Sequence, residues 1–385
     1  MKLLLLNYEY PPLGGGAGTA TQTIARQLVK MGHEVDIITS NTQFSFNSLS
    51  DNGVNLYFVP SLRKGIHDCG LRGALTYLFF AYFKLFKLVH YNKYDLIHYF
   101  FSLPTAFLSV LPGEHLKLPY IVSLRGSDVP HYDIYNKKLQ FLHKLYLPIT
   151  KFIWKKAKAV LAVTNSLKET ALLTEPNQLI EIIPNGIDTN IFLPAKCERN
   201  DNEFRLITIS RLIKRKGIEY VFKALSEIND ISISLTIIGE GNYENELKRM
   251  RDNLGLANRV SFLGFREKTT IPFYLCQSDV FILLSLAEAF GNVIAEAMAC
   301  GLPIIGANEG GIPDLVDKGN GILVEATNVT QIKSAIMAMK TNKEMRIKMG
   351  KANAEKIEQN YKWEKVASAY YKIYEKSLNG SFGKN

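Results

Sequence analysis

The segment 288-EAFGNVIAEAMACGLPII-305 combines a turn, a short Ala-rich helix and a β-branched strand. Its 290–292 tripeptide, Phe-Gly-Asn, is typical of a turn and helix cap, and Gly-Leu-Pro follows the helix at 301–303. A helix followed by a buried strand is the repeating element of a parallel α/β sheet. Two carboxylates, Glu288 and Glu296, flank the turn, and carboxylates are seldom buried without a partner. The segment therefore predicts both an α/β fold and a site.

The same alternation of apolar strands and helices runs through the rest of the chain. KLLLLN at 2–7 precedes a predicted helix over 19–31, and the second half opens with the strand FRLITIS at 204–210. A Pro-, Asn- and charge-rich stretch at 182–203 interrupts the pattern and predicts a linker. We expect two doubly wound domains, over 1–183 and 184–360. The helix predicted over 361–378 either closes the second domain or crosses back to the first.

Length and composition agree with two ordinary globular domains. The chain has 385 residues, 47% hydrophobic and 21% charged, which is too long for one comfortable core. The N-terminal apolar run at 3–6 is too short for a signal peptide and predicts a buried strand. The four cysteines are scattered and form no zinc-type spacing, so we expect a reducing, cytoplasmic location.

The positive charge is concentrated in one part of the chain. Residues 61–160 hold 15 Lys/Arg and 5 Asp/Glu, a local excess of 15 − 5 = +10. This part includes 74-ALTYLFFAYFKLFKLVHYNKY-94, whose apolar run at 73–83 is too short to span a bilayer. Aromatics with Lys84 and Lys87 suit a face against anionic lipid. An ordinary buried helix with a solvated lysine edge is the alternative, and no nucleic-acid-binding motif accompanies the charge.

A glycine-rich loop follows the first strand, in 8-YEYPPLGGGAGTATQTIARQL-28. It opens a helix, where backbone N–H groups and the helix dipole favour an anion. The spacing is neither the dinucleotide fingerprint nor a Walker loop. A tight turn needs one or two glycines rather than four, so we favour phosphate contact over a purely structural turn.

A basic turn follows the first strand of the second half, in 210-SRLIKRKGIEYVFKAL-225. Arg and Lys are the natural partners of phosphate oxygens, and Arg211 and Lys216 are the candidates. A solvated charged face is the alternative.

The opening segment supplies carboxylates that could complete such a site. Glu288 is expected on a loop and Glu296 in the second turn of the following helix. One carboxylate can bind a sugar hydroxyl or stabilise positive charge, and the other can bind a diol such as ribose. No Asp-x-Asp occurs, so a metal holding a diphosphate is not indicated.

Together these motifs resemble glycosyltransferase family 4, whose members are retaining, nucleotide-sugar-dependent enzymes. The resemblance rests on the Glu-x7-Glu segment and on YPPLGGGAGTATQTIARQL, IIPNGIDTNIF, SRLIKRKGIE and IIGEG, which stand in the family's order over nearly the whole chain. It implies the GT-B fold, with two Rossmann-like doubly wound domains facing a central cleft. It also implies that the C-terminal helix crosses back to the first domain.

The resemblance assigns roles to several residues. Arg211 and Lys216 would hold the donor diphosphate, and Glu296 the ribose hydroxyls. Glu288 and the helix start would grip the donor sugar, while the first glycine loop would contact phosphate and a loop at 263–266 would select the base. The remaining donor-binding residues implied are Gly15, Gly16, Phe265, Arg266, Phe290, Gly291, Asn292 and Val293.

One position departs from the family pattern. Many members carry His-Gly at the end of a strand near the reacting sugar, and here SLRGSDVP places Arg125 at that position. Arginine cannot act as a base but can stabilise an anion. Asp128 is expected to support Arg125 or touch the acceptor. His98, expected at a strand end, either lines the acceptor side or is structural.

The expected function is transfer of a sugar from a UDP- or GDP-linked donor to a hydroxyl of a saccharide acceptor, with retention of configuration and no cofactor. The departing diphosphate would itself accept the hydroxyl proton. The basic, aromatic first half favours a lipid-linked acceptor at the inner face of the plasma membrane, in surface polysaccharide assembly. Two alternatives stay open: a sugar-nucleotide epimerase of the same architecture, and a non-enzymatic peripheral protein that binds anionic lipid.

Overall fold

The computed structural model describes residues 1–43, 45–66, 68–195, 197 and 202–380. The chain forms two compact units, Met1–Gly186 with the chain from Trp363 onward, and Ile187–Lys362. The chain passes from one unit to the other after Gly186 and after Lys362. These boundaries lie three and two residues later than the expected ones, after 183 and 360. Gly186 lies against the Trp363 ring with no room for a Cβ, and both residues belong to the first unit.

The first unit is built on an eight-stranded sheet of order β3-β4-β2-β1-β5-β6-β7-β8. Every pairing is parallel except that of β3 with β4. The strands are β1 Lys2–Leu6, β2 Glu34–Asn41, β3 Asn47–Asp51, β4 Val54–Pro60, β5 Leu96–Phe100, β6 Tyr120–Ser123, β7 Ala159–Ala162 and β8 Ile180–Ile182. Leu3 to Leu6 are fully buried, as a strand covered on both faces requires.

Four helices connect these strands. They are α1 Gly16–Lys30, α2 Gly70–Tyr91, α3 Lys137–Lys156 and α4 Asn165–Leu172. Helix α1 begins three residues before the predicted start, so its first turn contains two of the loop glycines. A short 3-10 helix, Thr105–Val110, contacts both α2 and α3.

The second unit holds a parallel six-stranded sheet of order β11-β10-β9-β12-β13-β14. The strands are β9 Phe204–Ile209, β10 Ile233–Ile238, β11 Val260–Phe262, β12 Val280–Leu283, β13 Ile304–Ala307 and β14 Gly321–Val324. The helices are α5 Ile218–Ser226, α6 Glu244–Asn253, α7 Ile271–Cys276, α8 Asn292–Ala299, α9 Ile312–Leu315, α10 Val329–Thr341 and α11 Lys343–Asn360.

The last helix, α12 Trp363–Leu378, belongs to the first unit and packs against α1. Its aromatic residues Tyr370 and Tyr374 are buried in that unit. Among the residues that the structure describes, no helix is both long enough and apolar enough to cross a membrane.

Two of the scattered cysteines meet in the second unit. Cys197 and Cys276 form a disulfide with Cα atoms 5.9 Å apart, although 79 residues separate them in sequence. Cys276 ends α7 and Cys197 lies in the segment before β9, so their positions in the sequence did not predict the pairing. The reducing, cytoplasmic location expected from scattered cysteines stays a prediction. Cys69 and Cys300 are free.

Candidate active site

A buried ion pair lies at the carboxyl edge of the second sheet. Lys216 Nζ is 2.5 Å from Glu288 Oε2, and both side chains are largely removed from solvent. Lys216 follows β9 and Glu288 follows β12, which pair in parallel, so their loops leave the sheet at the same edge. As expected, Glu288 lies on a loop. The structure therefore brings together two residues predicted separately.

Backbone contacts fix this pair in place. Gly217, with φ of +67°, lies so close to the Leu284 carbonyl that a Cβ would collide with it. The N–H of Leu286 donates to the Arg215 carbonyl at 2.8 Å, which joins the basic turn to the loop of Glu288. The Glu288 carbonyl accepts the Gly311 N–H at 2.7 Å. A side chain at position 217 would therefore push apart the two loops that carry Lys216 and Glu288.

A second ion pair involves the other predicted carboxylate. Glu296, in the second turn of α8, has Oε1 3.1 Å from Lys268 Nζ. The same ammonium lies 5.5 Å from the ring centre of Phe192. Burial raises the pKa of Glu296, while the Lys268 charge and hydrogen bond oppose that rise. Lys268 therefore favours an ionised carboxylate able to accept hydroxyl groups.

Helix α8 begins directly after the loop that carries Glu288. Gly291 precedes it in the left-handed conformation, with φ of +91°. Asn292 and Val293 form its first turn, whose backbone N–H groups point away from the helix body. Phe290 is buried against Tyr361, with ring centres 5.9 Å apart, and so anchors the turn. The arrangement places a helix N-terminus beside the Lys216–Glu288 pair.

The remaining donor-side candidates lie around this edge. Arg211 is exposed at the start of the basic turn, and no contact with Lys216 or Glu288 is found for it among the described residues. Phe265 is largely exposed and its N–H donates to Glu240 Oε1 at 3.3 Å. Arg266 donates to the Tyr274 hydroxyl at 2.9 Å. The donor roles of these three residues stay predictions.

In the first unit, Arg125 makes an internal set of contacts. Its Nη1 donates to Asn185 Oδ1 at 2.8 Å and its Nη2 to the Tyr370 hydroxyl at 3.1 Å. The guanidinium carbon lies 4.8 Å from the Phe100 ring centre, and the residue is 8% exposed. Arg125 thus joins the loop after β6 to the segment before Gly186 and to α12. A direct catalytic role for it stays a prediction.

Asp128 organises the loops at the ends of β5 and β6. Its carboxylate accepts the N–H of Ser102 at 2.6 Å, of Arg125 at 2.8 Å and of Gly126 at 2.9 Å. Burial raises its pKa to about 6, although these hydrogen bonds favour the ionised form. Asp128 supports Arg125 through the backbone, and its contact with an acceptor stays a prediction.

His98 was expected at a strand end, and this expectation is wrong. The strand continues to Phe100, and His98 pairs in register with Ile121 within the sheet. Its Nδ1 lies 2.9 Å from the Tyr374 hydroxyl and its Nε2 2.8 Å from Ser123 Oγ. Burial and the charge of Arg125 hold its pKa well below the usual value, so the ring is neutral. This burial favours the structural interpretation over an acceptor-side one.

The glycine-rich loop of the first unit already contacts a carboxylate. The N–H of Gly15 donates to Glu9 Oε2 at 3.3 Å, and the Glu9 side chain lies over Gly14. Gly15 and Gly16 are exposed at the start of α1. A phosphate at this N-terminus would therefore meet the Glu9 carboxylate, and phosphate contact stays a prediction.

Among the described residues, no group of three or more His, Cys, Asp or Glu side chains could hold a metal ion. That transfer needs no metal stays a prediction.

Two family models match successive parts of the chain. One, described as Glycosyltransferase Family 4, covers residues 14–191, and the other, Glycosyl transferases group 1, covers residues 191–356. They span the glycine loop, the basic turn and both glutamates, in the predicted order. The chain belongs to the family 4, group 1 glycosyltransferases. The resemblance drawn from the motifs is confirmed.

Curated relatives of this glycosyltransferase extend over its whole length. N-acetyl-alpha-D-glucosaminyl L-malate synthase of Bacillus anthracis is 28% identical over 393 residues, covering 97% of each chain. The GPI3 subunit of phosphatidylinositol N-acetylglucosaminyltransferase from Saccharomyces cerevisiae is 25% identical over 390 residues, covering 96% of this chain and 82% of the relative.

Solved structures show the same fold. Sucrose-phosphate synthase of Thermosynechococcus elongatus superposes with a TM-score of 0.84 at 20% identity, over 99% of this chain and 100% of that chain. Anabaena HepE in complex with UDP-glucose gives 0.72 at 22% identity, over 97% and 99%. With its two mostly parallel α/β sheets, the glycosyltransferase has the two-domain, Rossmann-like GT-B fold, as predicted.

Sequence reasoning missed several residues of this glycosyltransferase that contact the predicted site residues of the first and second units. Lys268 stands in a charged loop, and no motif distinguishes it from its neighbours. The sequence offered only weak indications of the other two partners. Asn185 lies in the quoted IIPNGIDTNIF block, and Tyr370 lies in the last helix, which contains several aromatic residues. Glu9 lies beside the glycine loop, and only the folded loop shows that its side chain returns to Gly15.

Proposed function

We propose that this glycosyltransferase moves a sugar from a nucleoside diphosphate sugar, UDP- or GDP-linked, to a hydroxyl of a saccharide acceptor with retention of configuration. The observation that carries the proposal is the Lys216–Glu288 ion pair beside the N-terminus of α8. A diphosphate needs cations and N–H donors, and a sugar needs a carboxylate that accepts its hydroxyl groups. All three lie at one edge of the sheet.

The nucleoside end of the donor fits the second ion pair. Glu296 is paired with Lys268, which favours its ionised form, and an ionised carboxylate can accept hydrogen bonds from the two ribose hydroxyls. Phe265 is largely exposed on a neighbouring loop and can contact the base. HepE was solved with UDP-glucose, which supports a nucleotide-sugar donor here.

The proposed reaction proceeds on one face of the sugar. The bond from the anomeric carbon to the diphosphate breaks while the acceptor oxygen bonds to the same carbon, and the acceptor proton passes to a diphosphate oxygen. Lys216, Arg211 and the first-turn N–H groups of α8 stabilise the charge that develops on the departing diphosphate. No side-chain base is required, which agrees with a neutral, buried His98 and with Arg125 at the position of the family's histidine.

N-acetylglucosamine is the first sugar to test. Both curated relatives described above are named for N-acetylglucosaminyl transfer, one to malate and one to phosphatidylinositol. The name of the Bacillus relative also specifies an alpha-linked product, which supports retention because the common UDP-sugars are alpha-linked. The relative that acts on phosphatidylinositol supports a lipid-linked acceptor.

The proposed setting is the cytoplasmic face of the plasma membrane, in surface polysaccharide or glycoconjugate biosynthesis. There a soluble nucleotide sugar meets an acceptor that is confined to the bilayer. The net charge of +10 supports association with an anionic surface.

The test is a transfer assay with the full-length chain. UDP-N-acetylglucosamine, UDP-glucose and GDP-mannose are each offered with malate, phosphatidylinositol and a polyprenyl-diphosphate saccharide, and products are detected by mass spectrometry. We expect one donor to be consumed with an acceptor, release of its nucleoside diphosphate and an alpha-linked product by NMR. Glu288→Gln should abolish the product.

Two results would contradict the proposal. An inverted product would exclude the front-face mechanism. Isotope exchange at a ring carbon of the donor without an acceptor, and no product with one, would indicate epimerisation.

A further inference from the structure

Helix α2 exposes a continuous apolar face to solvent. Leu75, Phe79 and Phe83 are 55%, 59% and 56% exposed and succeed one another at intervals of four residues. Leu71 and Phe86 continue the same face, and the five residues are here named the α2 stripe. Residues four apart lie on one side of a helix, so the stripe runs along most of its length.

The opposite face of α2 is buried within the first unit. Tyr77, Ala81 and Leu85 are fully buried against the sheet. The alternative of an ordinary buried helix is therefore wrong, because α2 is apolar on two faces and only one is covered. Single exposed apolar side chains are common on proteins, whereas a contiguous row indicates a binding surface.

Helix α3 carries a second apolar row. Phe141, Leu145 and Phe152 are 68%, 61% and 51% exposed, and they are here named the α3 row. Helices α2 and α3 both contact the 3-10 helix Thr105–Val110, so they flank the same element of the first unit. The two rows therefore lie on helices that neighbour the same element of that unit.

The charge of these helices has a single sign. The sequences of α2 and α3 contain no Asp or Glu. Their basic residues are Arg72, Lys84, Lys87, Lys137, Lys138, Lys144, Lys151, Lys155 and Lys156. By contrast, α6 and α11 of the second unit carry both signs. Glu114 and Glu175, on neighbouring elements, lie near His90 of α2 and Lys151 of α3, and the charged residues of the two helices themselves are all basic. Apolar rows on such helices match the headgroup and acyl boundary of an anionic bilayer.

A cavity of about 590 Å³ opens at the end of α3. The cavity is lined by three lysines, Lys117, Lys156 and Lys158, and by the apolar residues Leu116 and Phe152, of which Phe152 belongs to the α3 row. Three ammonium groups beside apolar side chains can hold an anionic headgroup whose acyl part contacts the apolar residues.

We propose that the α2 stripe and the α3 row form a face that docks on an anionic lipid bilayer. The phenylalanines and leucines insert at the acyl boundary while the lysines contact headgroup phosphates. A second copy of the chain is a poorer occupant, because pairing this face with itself would bring like charges together. This inference rests on the proposed function, since it places the enzyme where a lipid-linked acceptor is found.

The test is flotation of the full-length chain with vesicles of phosphatidylcholine, with and without phosphatidylglycerol. The stripe variant is Leu75→Ser/Phe79→Ser/Phe83→Ser. The matched control is Ile231→Ser/Phe273→Ser/Ile347→Ser, which removes three exposed apolar side chains from the second unit (89%, 62% and 64% exposed). A charge variant, Lys137→Gln/Lys138→Gln/Lys144→Gln, removes three exposed lysines of α3.

We expect wild type and the control to float only with phosphatidylglycerol, less so at high ionic strength. The stripe variant should bind at least about tenfold more weakly, and the charge variant should lose its preference for anionic vesicles. Equal binding by the stripe and control variants would overturn the inference. So would a wild-type dimer in light scattering that the stripe variant converts to a monomer, because a second copy would then occupy the face.

Nucleotide-induced thermal stabilisation, measured on the same samples, separates the two proposals. If it persists while vesicle binding is absent, the docking inference fails and the donor site stands. If it is absent from wild type, the proposed function fails whatever the vesicles show.

Discussion

The Nζ atom of Lys268, in a short 3-10 turn after β11, lies 3.1 Å from Oε1 of Glu296 in helix α8. Glu296 is largely buried, and burial alone would favour its neutral acid. The ammonium opposes that tendency, so the ion pair preserves an acceptor for hydroxyl groups. This contact gives the predicted ribose site a second residue.

Replacing Lys268 should make nucleotide binding dependent on pH. In Lys268→Gln the pKa of Glu296 rises further, so its carboxylate is protonated at a higher pH than in wild type. A protonated Glu296 accepts ribose hydroxyls less well. As the pH is lowered from 8 to 5, affinity for the nucleoside diphosphate should therefore fall more in Lys268→Gln than in wild type, by at most about tenfold per pH unit because one proton is bound. Isothermal titration calorimetry over this pH range measures the effect.

The Lys268 prediction has two controls. Glu296→Gln should bind the nucleotide weakly with no such pH dependence, and Lys268→Gln should add little in that background. A 2′-deoxy nucleotide should show a smaller difference between wild type and Lys268→Gln. If the pH dependence of nucleotide affinity is also larger in Lys268→Gln/Glu296→Gln than in Glu296→Gln, Glu296 is not the titrating group.

Removing Lys216 should destabilise the second unit as well as abolish nucleotide binding. Lys216→Met leaves the Glu288 carboxylate largely buried without its cation, which should cost about 3 kcal/mol. The double variant Lys216→Met/Glu288→Leu should lose less stability than the two single losses added together. Scanning calorimetry provides the comparison. Lys214→Met, from the same turn but exposed, should leave stability and nucleotide binding nearly unchanged. Strict additivity of the two single variants would show that the ion pair contributes no coupling.

Arg125 should stabilise the first unit through α12. Tyr370→Phe removes one hydrogen bond to the guanidinium and should cost about 1 kcal/mol, whereas Arg125→Met also leaves Asn185 without that donor and should cost about 3 kcal/mol. The only two tryptophans, Trp154 and Trp363, both belong to the first unit. Tryptophan fluorescence during urea unfolding therefore measures that unit. Unchanged stability in Arg125→Met would mean that its contacts are not structural.

His98 should contribute to acid sensitivity of the first unit. Its folded pKa lies below the ordinary value of about 6.5, so below that pH the unfolded chain takes up a proton that the folded chain does not. The contribution is complete above about pH 6.5 and declines as the pH falls. In His98→Gln the slope of stability against pH should decrease by up to about 1.4 kcal/mol per pH unit.

Other groups titrate in the same range but are retained in that variant. His115 and His143 have lowered pKa values and act in the same direction as His98. Asp128, with its pKa raised to about 6, acts in the opposite direction, because its folded form takes up a proton first. These contributions cancel in the comparison with wild type. An identical slope in both proteins would show that His98 is protonated in the folded state.

The sequence predicted the alternation of strands and helices because that alternation is a local pattern of apolar residues. It also placed Glu288 on a loop and Glu296 in the second turn of α8, since Gly291 and the alanines mark the helix. It did not predict the side-chain partners of Glu296, Arg125 or His98, because each of those partners lies on another element of the fold. Tyr370, for example, is 245 positions from Arg125 and reaches it only through the packing of α12.

The exposed face of α2 also needed the structure. Its sequence is apolar on nearly every side, so the pattern could not distinguish a buried helix from one with an uncovered stripe. Only the fractional exposure of Phe79 and Phe83 makes that distinction.

The central claim is that the second unit binds a nucleoside diphosphate through the basic turn at Arg211 and Lys216. The most direct measurement is a thermal-shift series with UDP, GDP and ADP on wild type and on Arg211→Ala/Lys216→Ala. A ligand that binds only the folded state raises the unfolding midpoint as its concentration increases. The account predicts such a rise for one nucleotide in wild type and none in the variant. No rise for any nucleotide, or an equal rise in the variant, would contradict it.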